Sequence, residues 1–179
     1  DGTGGPDDYV FTDNVPFDVN STFELTKGVA PATATIGDTV TYTLTLELIE
    51  GITTNVSITD TFPAGYEYVA GSLTVTSTSG TTGYTAASET FTAPDLTIPL
   101  GTVNIPSDGD DTNNTVVLTY EALVLNTADN NDGDTDTNSA TASGDDVTDS
   151  TGTSDVAIVE PDIDVTKTLI GAQTSPVEA

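Results

Sequence analysis

Residues 39–48 read Thr-Val-Thr-Tyr-Thr-Leu-Thr-Leu-Glu-Leu, an unbroken alternation of polar and apolar side chains. A period of two puts Val40, Tyr42, Leu44, Leu46 and Leu48 on one face and Thr39, Thr41, Thr43, Thr45 and Glu47 on the other. A half-buried antiparallel strand satisfies that pattern. Related patterns mark 22–27, 54–62, 66–77, 88–93, 100–105, 115–126, 137–143 and 153–159 as further strands. Gly, Pro, Asn and Asp punctuate the gaps, as at Gly37-Asp38, Pro63-Ala64-Gly65 and Asp108-Gly109. No stretch carries a 3.6-residue period. Threonine supplies 37 of the 179 residues, too much β-branching for helices. The expectation is an all-β sandwich.

Composition then removes many functions. The chain has no His and no Cys. That leaves no Ser–His or Cys–His nucleophile pair and no zinc, haem or iron–sulfur site of the usual kinds. Two basic residues against 29 acidic ones give a formal charge of −27. Such a chain repels phosphates, so nucleic acid and anionic membrane surfaces are not expected partners. No apolar run reaches the ~18 residues of a membrane span. Asp1 rather than Met opens the sequence, and the expectation is a processed product or an excised piece.

An internal repeat sets the expected boundaries. Phe23-Glu24-Leu25-Thr26-Lys27 recurs as Ile163-Asp164-Val165-Thr166-Lys167, about 140 residues later. One complete domain is expected at 22–160, with Pro161 at the junction. Residues 161–179 read as the first strand of a following repeat, or as a strand donated to a neighbour. Residues 1–21 read as a leader or the end of a preceding repeat.

Both basic residues occupy the same position of this repeat. Phe23, Leu25 and Lys27 share a strand face, as do Ile163, Val165 and Lys167, so each lysine falls on the apolar side. Asp60 shares a face with Val56, Ile58 and Phe62, and Asn138 with Ala140 and Ala142. An amine, a carboxyl and an amide are thus expected to point inward from three strands. That set can form an intramolecular isopeptide bond, in which the amine displaces ammonia from the amide while the acid moves the protons. Lys27 and Asn138 would be the bonded pair and Asp60 the assisting acid, with Glu121 as its rival. The bond would staple the first strand to the last. Plainer readings stand beside this one. Lys27 can bury its stem and send its amine to solvent, Asp60 can cap the turn at Phe62-Pro63, and Asn138 can end the acidic loop.

Several runs carry a resemblance. They are Gly37-Asp38-Thr39-Val40-Thr41-Tyr42-Thr43, Ile58-Thr59-Asp60-Thr61-Phe62-Pro63-Ala64-Gly65, Tyr68-Val69-Ala70-Gly71-Ser72 and Asn138-Ser139-Ala140-Thr141. In this order they resemble the DUF11-type repeat, related to the isopeptide-forming domains of fimbrial and surface proteins. Val165-Thr166-Lys167-Thr168 is similar to that family's opening strand. The resemblance implies an Ig-like antiparallel β-sandwich with Greek-key connections, arrayed in tandem in long extracellular chains. It carries over to Lys27, Asp60 and Asn138 alone. The chain departs from the family in its acidity and in the long acidic insertion before Asn138.

That insertion, Asp129-Asn130-Asn131-Asp132-Gly133-Asp134-Thr135-Asp136, is the densest carboxylate cluster. Oxygen ligands around a glycine turn suit Ca²⁺, so Asp129, Asp132, Asp134 and Asp136 are candidate ligands. The EF-hand template fails, because no helix and no bidentate Glu follow. No other cofactor is expected.

The leading expectation is therefore not an enzyme. It is a structural module of an extracellular stalk, adhesin or filament. Its partners would be neighbouring repeats or identical subunits, joined by β-strand addition through 162–167. The competing expectation is a glycan- or protein-binding module acting through its end loops, with Tyr66, Tyr68 and Tyr84 as a sugar platform.

Overall fold

In a computed structural model, the described residues are 23–77, 82–84, 88–109, 114–160, 165–168 and 171. They contain no helix. The strands are β1 (Glu24–Ala30), β2 (Thr33–Ala34), β3 (Thr39–Glu47), β4 (Gly51–Thr61), β5 (Tyr66–Tyr68) and β6 (Thr74–Ser77). There follow β7 (Thr82–Tyr84), β8 (Thr90–Thr92), β9 (Asp95–Ile105), β10 (Thr115–Val124), β11 (Thr135–Ser143) and β12 (Ser150–Ile158).

Two sheets face each other. One runs β1-β3-β10-β5, with β6 also on β10; the other runs β2-β12-β11-β4-β9-β7, with β8 also on β9. The β2–β12 pair is parallel and every other pair antiparallel. The chain passes repeatedly from one sheet to the other, between β3 and β4 and between β10 and β11 among other places, which is how a sandwich closes over one core.

The alternation read at 39–48 becomes the centre of that core. Val40, Tyr42, Leu44, Leu46 and Leu48 are all buried, and the threonines between them face outward. On β10, Val116, Leu118, Tyr120, Ala122 and Val124 face the same interior. Val56 and Ile58 of β4, and Leu96, Ile98 and Leu100 of β9, meet them from the other sheet.

Short β2 and β7 fall outside the expected strands, and two longer elements also differ from the sequence pattern. The run 66–77 splits into β5 and β6, because a turn at Ala70-Gly71 intervenes, with Ser72 N–H donating to Val69 O at 3.1 Å. The strand expected at 100–105 begins at Asp95 and runs through Pro99. Proline is tolerated there because its partner strand slips register beside it, between Val56 and Ser57.

One glycine fixes the approach of the two sheet edges. Gly152 of β12 lies under β1, and a Cβ there would sit 2.9 Å from Leu25 O and 3.1 Å from Lys27 N. Leu25 N–H also donates to Ser150 Oγ at 3.0 Å. β1 is thereby pressed onto β12, and its inward side chains enter the core.

Candidate functional site

Lys27 enters the sandwich from β1, an edge strand of one sheet. Asp60 on β4 and Asn138 on β11 face it from the other sheet. Asp60 is paired in register with Ala140, and Ala140 with Gly152, so one row crosses β4, β11 and β12 beneath β1. Asn138 lies two residues along from Ala140, on the same face. All three polar side chains are inside: those of Lys27 and Asp60 have no exposure, and Asn138 is fully buried.

The Lys27 amine donates to Asp60 Oδ2 and, at 2.6 Å, to the Tyr120 hydroxyl. Tyr120 in turn donates to the same Asp60 Oδ2. The amine also sits 4.4 Å from the Tyr42 ring centroid and 5.3 Å from that of Tyr120. Burial pulls the Lys27 pKa below its usual value, and the neighbouring Asp60 charge opposes part of that fall. The direction matters chemically, since only the neutral amine is a nucleophile. Burial pushes both the Tyr42 and Tyr120 hydroxyls far above the ordinary phenol range.

The amide is the unsatisfied member. Neither Asn138 Oδ1 nor Nδ2 has a hydrogen bond of ordinary geometry, although both tyrosine hydroxyls are its electrostatic neighbours. Asp60 Oδ1 and the Tyr42 hydroxyl are also buried without a partner. Each such group costs about 1–3 kcal/mol when left unpaired. Four such atoms on three residues, beside an ion pair removed from water, make this a polar and poorly satisfied part of the core.

Sequence phase located Lys27, Asp60 and Asn138 but missed the two tyrosines. Tyr42 and Tyr120 were legible only as apolar-face residues; they are register partners on β3 and β10, which no local pattern reveals. The outward routes for the Lys27 amine and the Asp60 cap are not taken. Glu121 is exposed on the outer face of β10 and lies off the cluster, because its phase is that of Val117 and Thr119. Asn138 sits on β11, the strand before the last of the sandwich, rather than on the last itself.

The acidic loop carries hydrogen bonds of its own. Asp134 Oδ2 accepts from Asn131 N–H and Nδ2, and Asp132 Oδ1 accepts from Glu160 N–H. Burial holds Asp136 above its usual range; the Tyr66 hydroxyl opposes this, and Asp134 and Asp129 add to it. Asn130 is buried and donates to Gly65 O and Leu125 O, both at 2.9 Å, which pins the loop to the core. Among the described residues, no three carboxylates gather as a metal-binding group.

The proposed sugar platform is overturned. Tyr66 and Tyr68 are core residues, since short β5 pairs with β10 and turns both rings inward. Tyr84 is half-buried and donates to Ser77 Oγ. At the C-terminal end, Ile163 and Asp164 lie outside the described residues. Residues 165–168 form no strand and are exposed, Lys167 included, with Val165 at 82%.

Neither a family model nor a curated protein matches the sequence. Solved structures do match the fold. The N-terminal domain of the Streptococcus gordonii adhesin Sgo0707 superposes with a TM-score of 0.55 at 18% identity. The match covers 76% of this chain and 32% of that one. BcpA, the major pilin subunit of Bacillus cereus, gives 0.53 at 13% identity, covering 76% of this chain and 40% of that one. The likeness is one of fold, and this chain spans well under half of either protein.

Proposed function

We propose that this sandwich is a load-bearing module of an extracellular stalk, adhesin or filament, stapled internally by an isopeptide bond between Lys27 and Asn138. One observation carries the reading: a buried amide with no hydrogen bond of ordinary geometry lies in the same core cluster as a buried lysine held by a buried carboxyl. A structural amide in an apolar core would be satisfied. A reactant need not be, because its partner is the bond it forms. The fold shared with an adhesin domain and a pilin supports the setting.

The chemistry balances within the cluster. Asp60 takes one proton from the Lys27 ammonium, leaving a neutral amine. Nζ attacks Asn138 Cγ, and the Cγ=Oδ1 electron pair moves onto Oδ1. Asp60 gives its proton to Nδ2 and takes the second proton lost by Nζ. The pair on Oδ1 returns, the Cγ–Nδ2 bond breaks, and ammonia leaves. Asp60 ends protonated, so a buried ion pair is replaced by three neutral groups. No outside reactant is needed.

The bond would join an edge strand of one sheet to an inner strand of the other. Load that peels β1 from β3 would then be carried by a covalent link. Tandem modules and strand addition through 162–167 belong to the same reading. The exposure of Val165 favours a partner for that segment. A 1–179 chain that stays monomeric at high concentration would remove the strand-addition part.

The test of the bond is the intact mass of the fully denatured chain, followed by peptide mapping. A deficit of one ammonia, with Lys27 and Asn138 in one branched peptide, is the expected result. A full-mass chain removes the proposal.

A further inference from the structure

The reaction just described develops negative charge on Asn138 Oδ1, and that charge arises in an apolar core. Charge of this kind calls for a preorganised donor. Counting protons in the cluster shows which group is free to act. The Lys27 amine donates to Asp60 and Tyr120. The single hydroxyl proton of Tyr120 is committed to Asp60 Oδ2. The hydroxyl proton of Tyr42 has no acceptor, and Tyr42 is fully buried. The Asn138 amide is equally buried and equally unpaired.

We propose that Tyr42 is a catalytic residue of bond formation. Its hydroxyl donates to Asn138 Oδ1 as that oxygen becomes an oxyanion, while its ring carries the Lys27 amine. The proposal rests on the isopeptide reading and deepens it. One side chain would then meet both reactants: the amine lies 4.4 Å from the ring centroid, and the Asn138 amide neighbours the phenol, with Oδ1 rather than Nδ2 turned toward the hydroxyl for the donation proposed. The ring cannot swing away, because Phe62 packs edge-on at 6.0 Å and Tyr120 lies at 5.6 Å. Tyr42 keeps its proton throughout; it lends a hydrogen bond and takes no part in the proton count. A phenol is a stronger donor than an aliphatic hydroxyl, which separates Tyr42 from the rival Ser154. That residue pairs with Asn138 in register and also has an unpartnered hydroxyl.

The experiment follows bond formation in time. Chain recovered unfolded in urea is diluted to start folding, quenched with acid at intervals and weighed intact. Tyr42→Phe keeps the ring and removes only the donor. Its ammonia loss should be slower than wild type by about 100-fold or more, the usual cost of removing one oxyanion donor. Ser154→Ala should react at the wild-type rate. Thermal midpoints of Asn138→Ala with and without Tyr42→Phe, neither able to form the bond, report any damage to the fold. Near-coincident midpoints assign the slow reaction to chemistry. A wild-type rate in Tyr42→Phe overturns the proposal. So does slowing by Ser154→Ala alone, or a Tyr42→Phe rate lowered only in step with a lost midpoint. A wild-type chain that never loses ammonia fails the isopeptide reading itself, a separate outcome.

Discussion

Replacing Asn138 with Ala removes the electrophile and little else. The side chain is fully buried and makes no hydrogen bond of ordinary geometry, so its loss breaks none. The consequence is the loss of a cross-link between Lys27 and position 138. That link closes a loop of about 110 residues, and confining such a loop in the unfolded chain is worth about 5 kcal/mol. The variant also keeps Lys27 and Asp60 as a buried ion pair, which the bonded protein does not hold, so 5 kcal/mol is a lower figure. For a domain of this size each kcal/mol moves the midpoint by about 2–4 °C, giving a fall of roughly 10–20 °C. Differential scanning calorimetry of wild type and variant, each first weighed intact, makes the measurement. If the wild type carries the bond and the variant melts within a few degrees of it, the loop-closure reasoning is wrong. If the wild type has its full mass, there is no bond to lose.

Three further outcomes are expected. Gly152→Ala puts a methyl group against Leu25 O and Lys27 N, backbone atoms that cannot turn aside. It should cost about 1–3 kcal/mol in urea unfolding and slow ammonia loss by lifting β1, and an unchanged midpoint would contradict the close approach of β1 and β12. The pH dependence follows from Asp136, whose pKa in the folded chain lies above its usual 3.8 through burial. The folded state therefore holds this proton to higher pH than the unfolded state, and stability should rise as pH falls from neutral through that raised value. Melting curves of Asp136→Asn should show a smaller rise; equal slopes would exclude Asp136 as a source. Calcium titration should leave the midpoint unchanged, since Asp132 and Asp134 already serve backbone N–H groups. A saturable upward shift would restore the loop as a calcium site.

The period-two pattern by itself determined the all-β class and, where one face is clearly apolar, which side chains face inward. A strand offers only two faces, so one clear apolar residue fixes the phase of its neighbours, Lys27, Asp60 and Asn138 included. The strand at Asp95–Pro99 was hidden because proline is a poor local strand signal, and only its partner's slipped register makes room for it. The split of 66–77 was hidden because the turn at Ala70-Gly71 interrupts an otherwise strand-like run.

Which inward residues meet was decided by the tertiary structure alone. Lys27 and Asp60 belong to different sheets, and Tyr42 and Tyr120 are neighbours only through strand pairing. Sequence phase left Glu121 open because β10 is apolar on both faces; the packing of the second sheet against one of them placed Glu121 outside. It put Tyr66 and Tyr68 on one face of β5 without saying where that face points, and the pairing of β5 with β10 put them inside. Local periodicity specifies a direction relative to the strand. Burial, pairing and the free proton on Tyr42 depend on what the rest of the chain brings to that face, which is a property of the closed sandwich.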